Sequence, residues 1–197
     1  MLNNYYKRSF EIIKKNKNII CIILILYAIS LLGGIIYHYF TYQEFSSVEI
    51  KESYYQNMKE IYFSENFIDN FIKIFTHNII ASIFRIIGGI LLGIIPIFLI
   101  VDGAISNSYS LVASTIDDGI IKTLSLFIPH SLFEIPAFIL SSSFGLIIFL
   151  SLFKKGRKMD NLKNTIIDAS LIFLFWILPL LFIAGIIESL LIITHWF

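Results

Sequence analysis

The sequence predicts an all-α fold, a polytopic bundle of transmembrane helices forming one integral membrane domain over residues 1–197. The chain is 57% hydrophobic and only 15% charged, more apolar than a soluble domain of this size can bury. The apolar residues also gather in long runs, which are Ile19–Ile36, Ile79–Val101, Thr123–Phe153 and Leu171–Ile193. A helix rises about 1.5 Å per residue and the hydrocarbon core is about 30 Å thick, so each run is long enough to cross a bilayer.

The first 18 residues are polar and basic, and they precede the first apolar run. Phe10 and Ile13 among these basic residues indicate a cytoplasmic amphipathic tail. No small-residue cleavage site follows the run, so we expect a retained transmembrane helix rather than a signal peptide.

Charge distribution predicts the orientation of the chain. Lysine and arginine are concentrated in residues 1–18 and in the connection 154–163, whereas residues 41–75 carry more acidic than basic residues. By the positive-inside bias, we expect the N-terminus and residues 154–163 to be cytoplasmic and residues 41–75 to be extracytoplasmic, in the cell membrane.

The extracytoplasmic segment ends in an amphipathic pattern. Phe63, Phe67, Phe71 and Phe75 recur every fourth residue and therefore lie on one face of a helix. Two interpretations remain open at this point. The helix lies in the outer leaflet interface, or its phenylalanines pack onto the transmembrane bundle.

Two cytoplasmic segments require an even number of crossings between them, which constrains residues 102–153. Residues 103–116 are short and contain several serines, so we expect either a short third helix or half of a re-entrant hairpin. Pro136 predicts a kink in the helix over 123–153. The sequence thus predicts five helices, with the N-terminus inside and the C-terminus outside.

Ionisable residues within the apolar runs are the candidate functional residues, because charged groups in a membrane are costly and face the protein interior. They are Arg85, His130, Glu134 and Glu188. We hypothesise that Arg85 pairs with Glu134 or Glu188 in an intramembrane polar network. Alternatively, such a pair only stabilises the packing of the helices and takes part in no chemistry.

The segment Pro129–Pro136 is the densest of these patterns. His130 and Glu134 are four residues apart and share a helical face, and Pro136 leaves the Leu132 carbonyl without its helical donor. Proton relays and cation sites use such arrangements, and so do bent helices tied to their neighbours.

Catalysis is not expected, and neither is a metal or other cofactor. A zinc enzyme needs a third protein ligand, and the remaining histidines (His38, His77 and His195) lie near predicted membrane boundaries. The serines at 141–143 lack a nucleophile-elbow motif and favour close packing, as do Gly89 and Gly93 on a small-residue face. No basic stripe with aromatic residues suggests nucleic-acid binding.

A wider set of residues resembles a known family. In order, they are Asn78, Gly89, Gly93, Asp102, Gly103, Pro129, His130, Glu134, Pro136 and Ala137, followed by a late helix with Ala184 and Glu188. This pattern resembles the stage II sporulation protein M family of multi-pass membrane proteins. The chain departs from that family's pattern in Ser131, where glycine is usual, and in Asp102, where asparagine is usual.

The resemblance implies a function as well as a fold. The family's namesake in sporulating bacteria looks like a scaffold that holds peptidoglycan-degrading enzymes in a membrane complex, whereas many relatives occur in organisms that do not sporulate. We therefore expect a non-enzymatic scaffold in the lipid bilayer, with membrane or cell-surface proteins or a second copy as partners. The alternative is a transporter or channel subunit that uses the buried ionisable residues.

Overall fold

The computed structural model describes residues 2–45, 64–154 and 158–196. Within these ranges all regular structure is helical, which confirms the all-α class. The helices are α1 (Leu2–Lys15), α2 (Lys17–Phe45), α3 (Phe67–Leu91), α4 (Ile94–Asp118), α5 (Ile120–Ser151), α6 (Lys158–Ile172) and α7 (Leu178–Trp196). A π-helical turn, Phe173–Ile177, joins α6 to α7.

Five segments of the described residues are long and apolar enough to cross a membrane, which confirms the prediction of a multi-pass protein with five crossings. They are Lys17–Thr41, Phe67–Leu91, Ile94–Asp118, Ile120–Ser151 and Met159–Thr194. The helix Ile120–Ser151 contains Pro129 and Pro136 and continues through both of them. The kink at Pro136 stays a prediction.

The boundary between the second and third crossings differs from the prediction. The apolar run Ile79–Val101 is not one crossing, because the chain breaks at Leu92, whose backbone is extended (φ −151°, ψ 125°), and α4 begins after Gly93. Pro96 lies in the first turn of α4, where a backbone N–H is not needed. Residues 103–116 are therefore the second half of a 25-residue helix. The expectation of a short or re-entrant third helix was wrong.

The N-terminal part of α3 carries the predicted phenylalanine face. Phe71 and Phe75 stack with their ring centroids 5.3 Å apart, and each meets the edge of Phe182 on α7, at 5.4 and 5.7 Å respectively. The sequence left open whether these phenylalanines lie in the membrane interface or pack onto the transmembrane bundle. In the structure, Phe71 and Phe75 pack onto the bundle. Residues 46–63 of the same segment, including Phe63, lie outside the described residues.

The amphipathic N-terminal helix α1 packs against α6 and the π-helical turn. Tyr6 stacks on Trp176 with centroids 5.8 Å apart, and the indole N–H of Trp176 donates to the Ser9 hydroxyl at 3.0 Å. Arg8 and Asp168 form an ion pair at 3.0 Å. The apolar side of α1 is therefore used for packing within the chain.

Helices α3 and α5 meet at two glycines. A Cβ placed on Gly89 would overlap the backbone of Gly145, and a Cβ on Gly145 would overlap the Arg85 carbonyl. At the break between α3 and α4, a Cβ on Gly93 would overlap the ring of Phe149. Gly89 and Gly93 thus each permit close contact with α5, but the break at Leu92 means that they do not share one helical face as predicted.

The contact between Gly89 and Gly145 predicts that one added methyl group destabilises the protein. Gly89→Ala is expected to lower the free energy of unfolding by about 1–3 kcal/mol, because the added Cβ overpacks a backbone contact. Thermal unfolding of the purified protein in detergent measures the change. Gly33→Ala on α2 is the matched control, because its Cβ meets nothing within 4 Å. The control should be neutral or stabilising by up to about 1 kcal/mol, and equal losses in both variants would contradict the predicted contact.

Candidate binding cavity

A polar cavity of about 570 Å³ lies between α3, α4, α5 and α7. Its volume falls within the range of about 300–1,000 Å³ that is typical of ligand pockets. Its polar lining includes Asn78 from α3, Ser106 and Ser110 from α4, His130 and Glu134 from α5, and Glu188 from α7. Four of the five crossings therefore contribute to one site.

The lining residues all lie toward one end of the bundle. They come from the first halves of α3 and α5 and from the second halves of α4 and α7. Successive crossings alternate in direction, so these halves are at the same end, which is the extracytoplasmic end in the predicted orientation. Beyond the cavity, the contact between Gly89 and Gly145 brings α3 and α5 together.

The structure brings together three of the four predicted ionisable residues. His130 and Glu134 are one turn apart on α5, and Glu188 faces them from α7. One donor atom from each of the three residues lies within 4.8 Å of the others. The Nδ1 atom of His130 is buried and has no hydrogen-bond partner. The cluster combines one imidazole with two carboxylate groups at the cavity wall.

Arg85 forms no direct ion pair with this cluster in the described part of the chain, although its charge interacts with that of Glu134. Its Nη2 donates to the Leu99 carbonyl at 3.3 Å, and its guanidinium carbon is 4.1 Å from the centre of the Phe138 ring. Among the described residues, ion pairs join Arg8 to Asp168 and Lys122 to Asp118, and none includes Arg85. The hypothesised direct pair between Arg85 and a glutamate is therefore not found.

The remaining residues of the family pattern lie in different environments. A Cβ on Gly103 would lie 3.4 Å from Nη2 of Arg85, so this glycine leaves space for the guanidinium. Asn78 is buried at the cavity, and Ala137 is fully buried in the core. Pro129 and Pro136 are half-buried on α5, whereas Asp102 is exposed on α4.

Sequence reasoning missed two parts of the cavity. It used the polarity of residues 103–116 to predict a short helix or half of a re-entrant hairpin, although Ser106, Ser110 and Ser114 form the cavity wall on a regular 25-residue helix. It also sought a third metal ligand among histidines, whereas the structure places Glu188 beside His130 and Glu134. The recurrence of serines at every fourth residue on α4 was the signal for the first part.

These features are those of a multi-pass helical membrane protein. In this protein, a cavity with polar side chains in its wall lies at one end of the bundle. The sequence pattern of the family described as stage II sporulation protein M (SpoIIM) matches residues 19–191. The chain belongs to this family. No curated protein and no solved structure matches the chain significantly.

The position of the cavity predicts a one-sided pattern of chemical labelling. Ser110 is exposed at the cavity and Ser142 is fully buried farther along α5. In a Cys21→Ser background, which removes the one native cysteine, Ser110→Cys is expected to react with a membrane-impermeant maleimide in intact cells. Ser142→Cys should stay unmodified.

Two outcomes would contradict this labelling prediction in different ways. Reaction of Ser110→Cys only after the cells are permeabilised would reverse the predicted orientation. Absence of reaction in permeabilised cells as well would mean that the cavity does not open to water.

Proposed function

We propose that the protein is a non-enzymatic scaffold of the cell membrane that organises partner membrane or cell-surface proteins. In this proposal, a polar segment of a partner enters the cavity from the extracytoplasmic side. The observation that carries the proposal is the set of polar groups that the cavity wall leaves without protein partners. Membership of the SpoIIM family supports the same function.

The serine side chains of α4 illustrate the difference between the cavity wall and the helix contacts. Ser108, which is fully buried, donates to the Ile105 carbonyl at 2.6 Å. In the part of the chain that the structure describes, the side chains of Ser106 and Ser110 have no such hydrogen bond. Polar groups at membrane depth require partners, so their hydroxyls are available to water or to a bound segment.

The serine cluster on α5 supports a role in packing rather than in nucleophilic chemistry. Ser141 donates to the Phe138 carbonyl at 3.0 Å and Ser143 donates to the Ile139 carbonyl at 2.6 Å. All three serines at 141–143 are fully buried, and none of them lines the cavity. Their hydroxyls lie within the helix contacts, where no substrate has access.

A second candidate function is transport, and one specific observation favours it. The cavity opens at one end of the bundle and carries ionisable groups at membrane depth, as one state of an alternating-access transporter does. Passage to the other end would require α3 and α5 to separate at Gly89 and Gly145, where their backbones are in contact. This close contact favours a scaffold over a transport path.

Site-specific photo-cross-linking tests the scaffold proposal. A photoreactive amino acid at Ser110 is expected to give a reproducible adduct with a distinct membrane or surface protein at native expression level, identified by mass spectrometry. The same amino acid at Leu132, which is 65% exposed on the outside of α5, is the matched control and should not give that adduct. Ser106→Trp, which fills the inner part of the cavity beside Ser110, should reduce the Ser110 adduct severalfold.

Two results together would overturn the scaffold in favour of transport. The first is the absence of any adduct that depends on the cavity position. The second is movement of an ion or small solute by the purified protein in liposomes, with flux lost in Glu134→Gln.

A further inference from the structure

The cavity wall contains a set of side chains that the scaffold proposal does not use. His130, Glu134 and Glu188 each offer one ligand atom, and these atoms lie within 4.8 Å of one another. Among the described residues, no hydrogen bond or ion pair joins any two of these three side chains. The three ligand atoms therefore lie close together without a hydrogen bond between them.

The geometry of the cluster suits a small cation. Nitrogen and oxygen ligands lie about 2.0–2.2 Å from a transition metal, so the ligand atoms around one ion are about 3–4 Å apart. The three ligand atoms lie within 4.8 Å of one another, so binding an ion would require the flexible glutamate side chains to move slightly closer to His130. His130 and Glu134 approach from one helix and Glu188 from another, which gives ligands on two sides of the ion.

The electrostatics of the cluster also favour a cation. Two carboxylate groups this close in a membrane interior repel each other unless a positive charge or a proton compensates them. Arg85 does not do so by direct contact, because its guanidinium lies against Leu99 and Phe138. A divalent ion would balance both carboxylates at once.

We propose that His130, Glu134 and Glu188 bind one divalent transition-metal cation, such as Zn²⁺ or Mn²⁺, between α5 and α7. The imidazole favours such ions over Ca²⁺ and Mg²⁺, which prefer ligand sets made of oxygen alone. Three protein ligands leave at least one coordination position facing the cavity, for water or for an acidic group of a bound molecule. The ion would also tie α5 to α7 at the cavity wall.

Metal titration of the full-length protein in lipid nanodiscs tests this site. After removal of metal with a chelator, Zn²⁺ alone is titrated by calorimetry and Mn²⁺ alone by electron paramagnetic resonance. The expected result is one saturable site per chain for at least one of the two ions. Glu188→Gln and His130→Gln should each weaken its affinity by about tenfold or more.

His77→Gln is the matched control, because His77 lines the same cavity but is outside the three-residue cluster. This variant should bind metal as the wild type does. Where a cluster variant is poorly folded, Glu188→Asp replaces it, since this change keeps the charge and only shortens the side chain. Metal should raise the melting temperature of the wild type and of His77→Gln by several degrees, and the increase should be lost or reduced in Glu188→Asp.

The proposal is overturned if neither ion binds saturably to the folded wild type. It is also overturned if binding persists unchanged in both Glu188→Gln and His130→Gln. The scaffold proposal fails on a different measurement, the adduct formed from Ser110, which needs no metal-binding data. The two proposals can therefore be rejected separately.

Discussion

The backbone contact between Gly89 and Gly145 determines the arrangement of the bundle around it. Two helices that touch without intervening side chains are closest at that point and separate with distance from it. Toward one end, just beyond α3, Gly93 leaves space for the ring of Phe149 on α5. Toward the other end, α3 and α5 move apart, and the cavity lies there with Asn78 and His130 in its wall. The close contact and the open cavity thus both result from the way in which α3 and α5 cross each other.

The membrane adds a constraint that made much of the fold predictable from the sequence. Backbone groups in lipid must bond internally, so long apolar runs become helices. The four runs, together with the even number of crossings that the positive-inside bias requires, predicted five crossings. The boundary at Leu92 was not predictable in this way. Hydropathy is continuous from Ile79 to Val101, whereas the break depends on the backbone conformation at Leu92 and on Gly93. Hydropathy reports which residues prefer lipid and contains no information on where a helix must turn back.

The candidate site was predictable in its residues but not in their pairing. Arg85, His130, Glu134 and Glu188 could be identified because ionisable groups are costly in a membrane. Simple attraction between opposite charges then favoured a pair between Arg85 and a glutamate. The structure instead directs the guanidinium toward α4, where Gly103 leaves room and the Leu99 carbonyl accepts a hydrogen bond. The rotation of α3 about its axis decides this outcome, and it depends on packing that a single sequence does not reveal.

The positions of the charged groups also bear on the choice between a scaffold and a transport path. In the described part of the chain, the guanidinium of Arg85 forms no ion pair with the cluster of His130, Glu134 and Glu188, and it lies against Phe138. A solute that left the cavity toward the opposite end would have to pass this aromatic contact and then separate α3 from α5 at Gly89. Both contacts would have to open in every transport cycle. A scaffold needs only the cavity mouth and a rigid wall behind it, and the glycine contact provides such a wall.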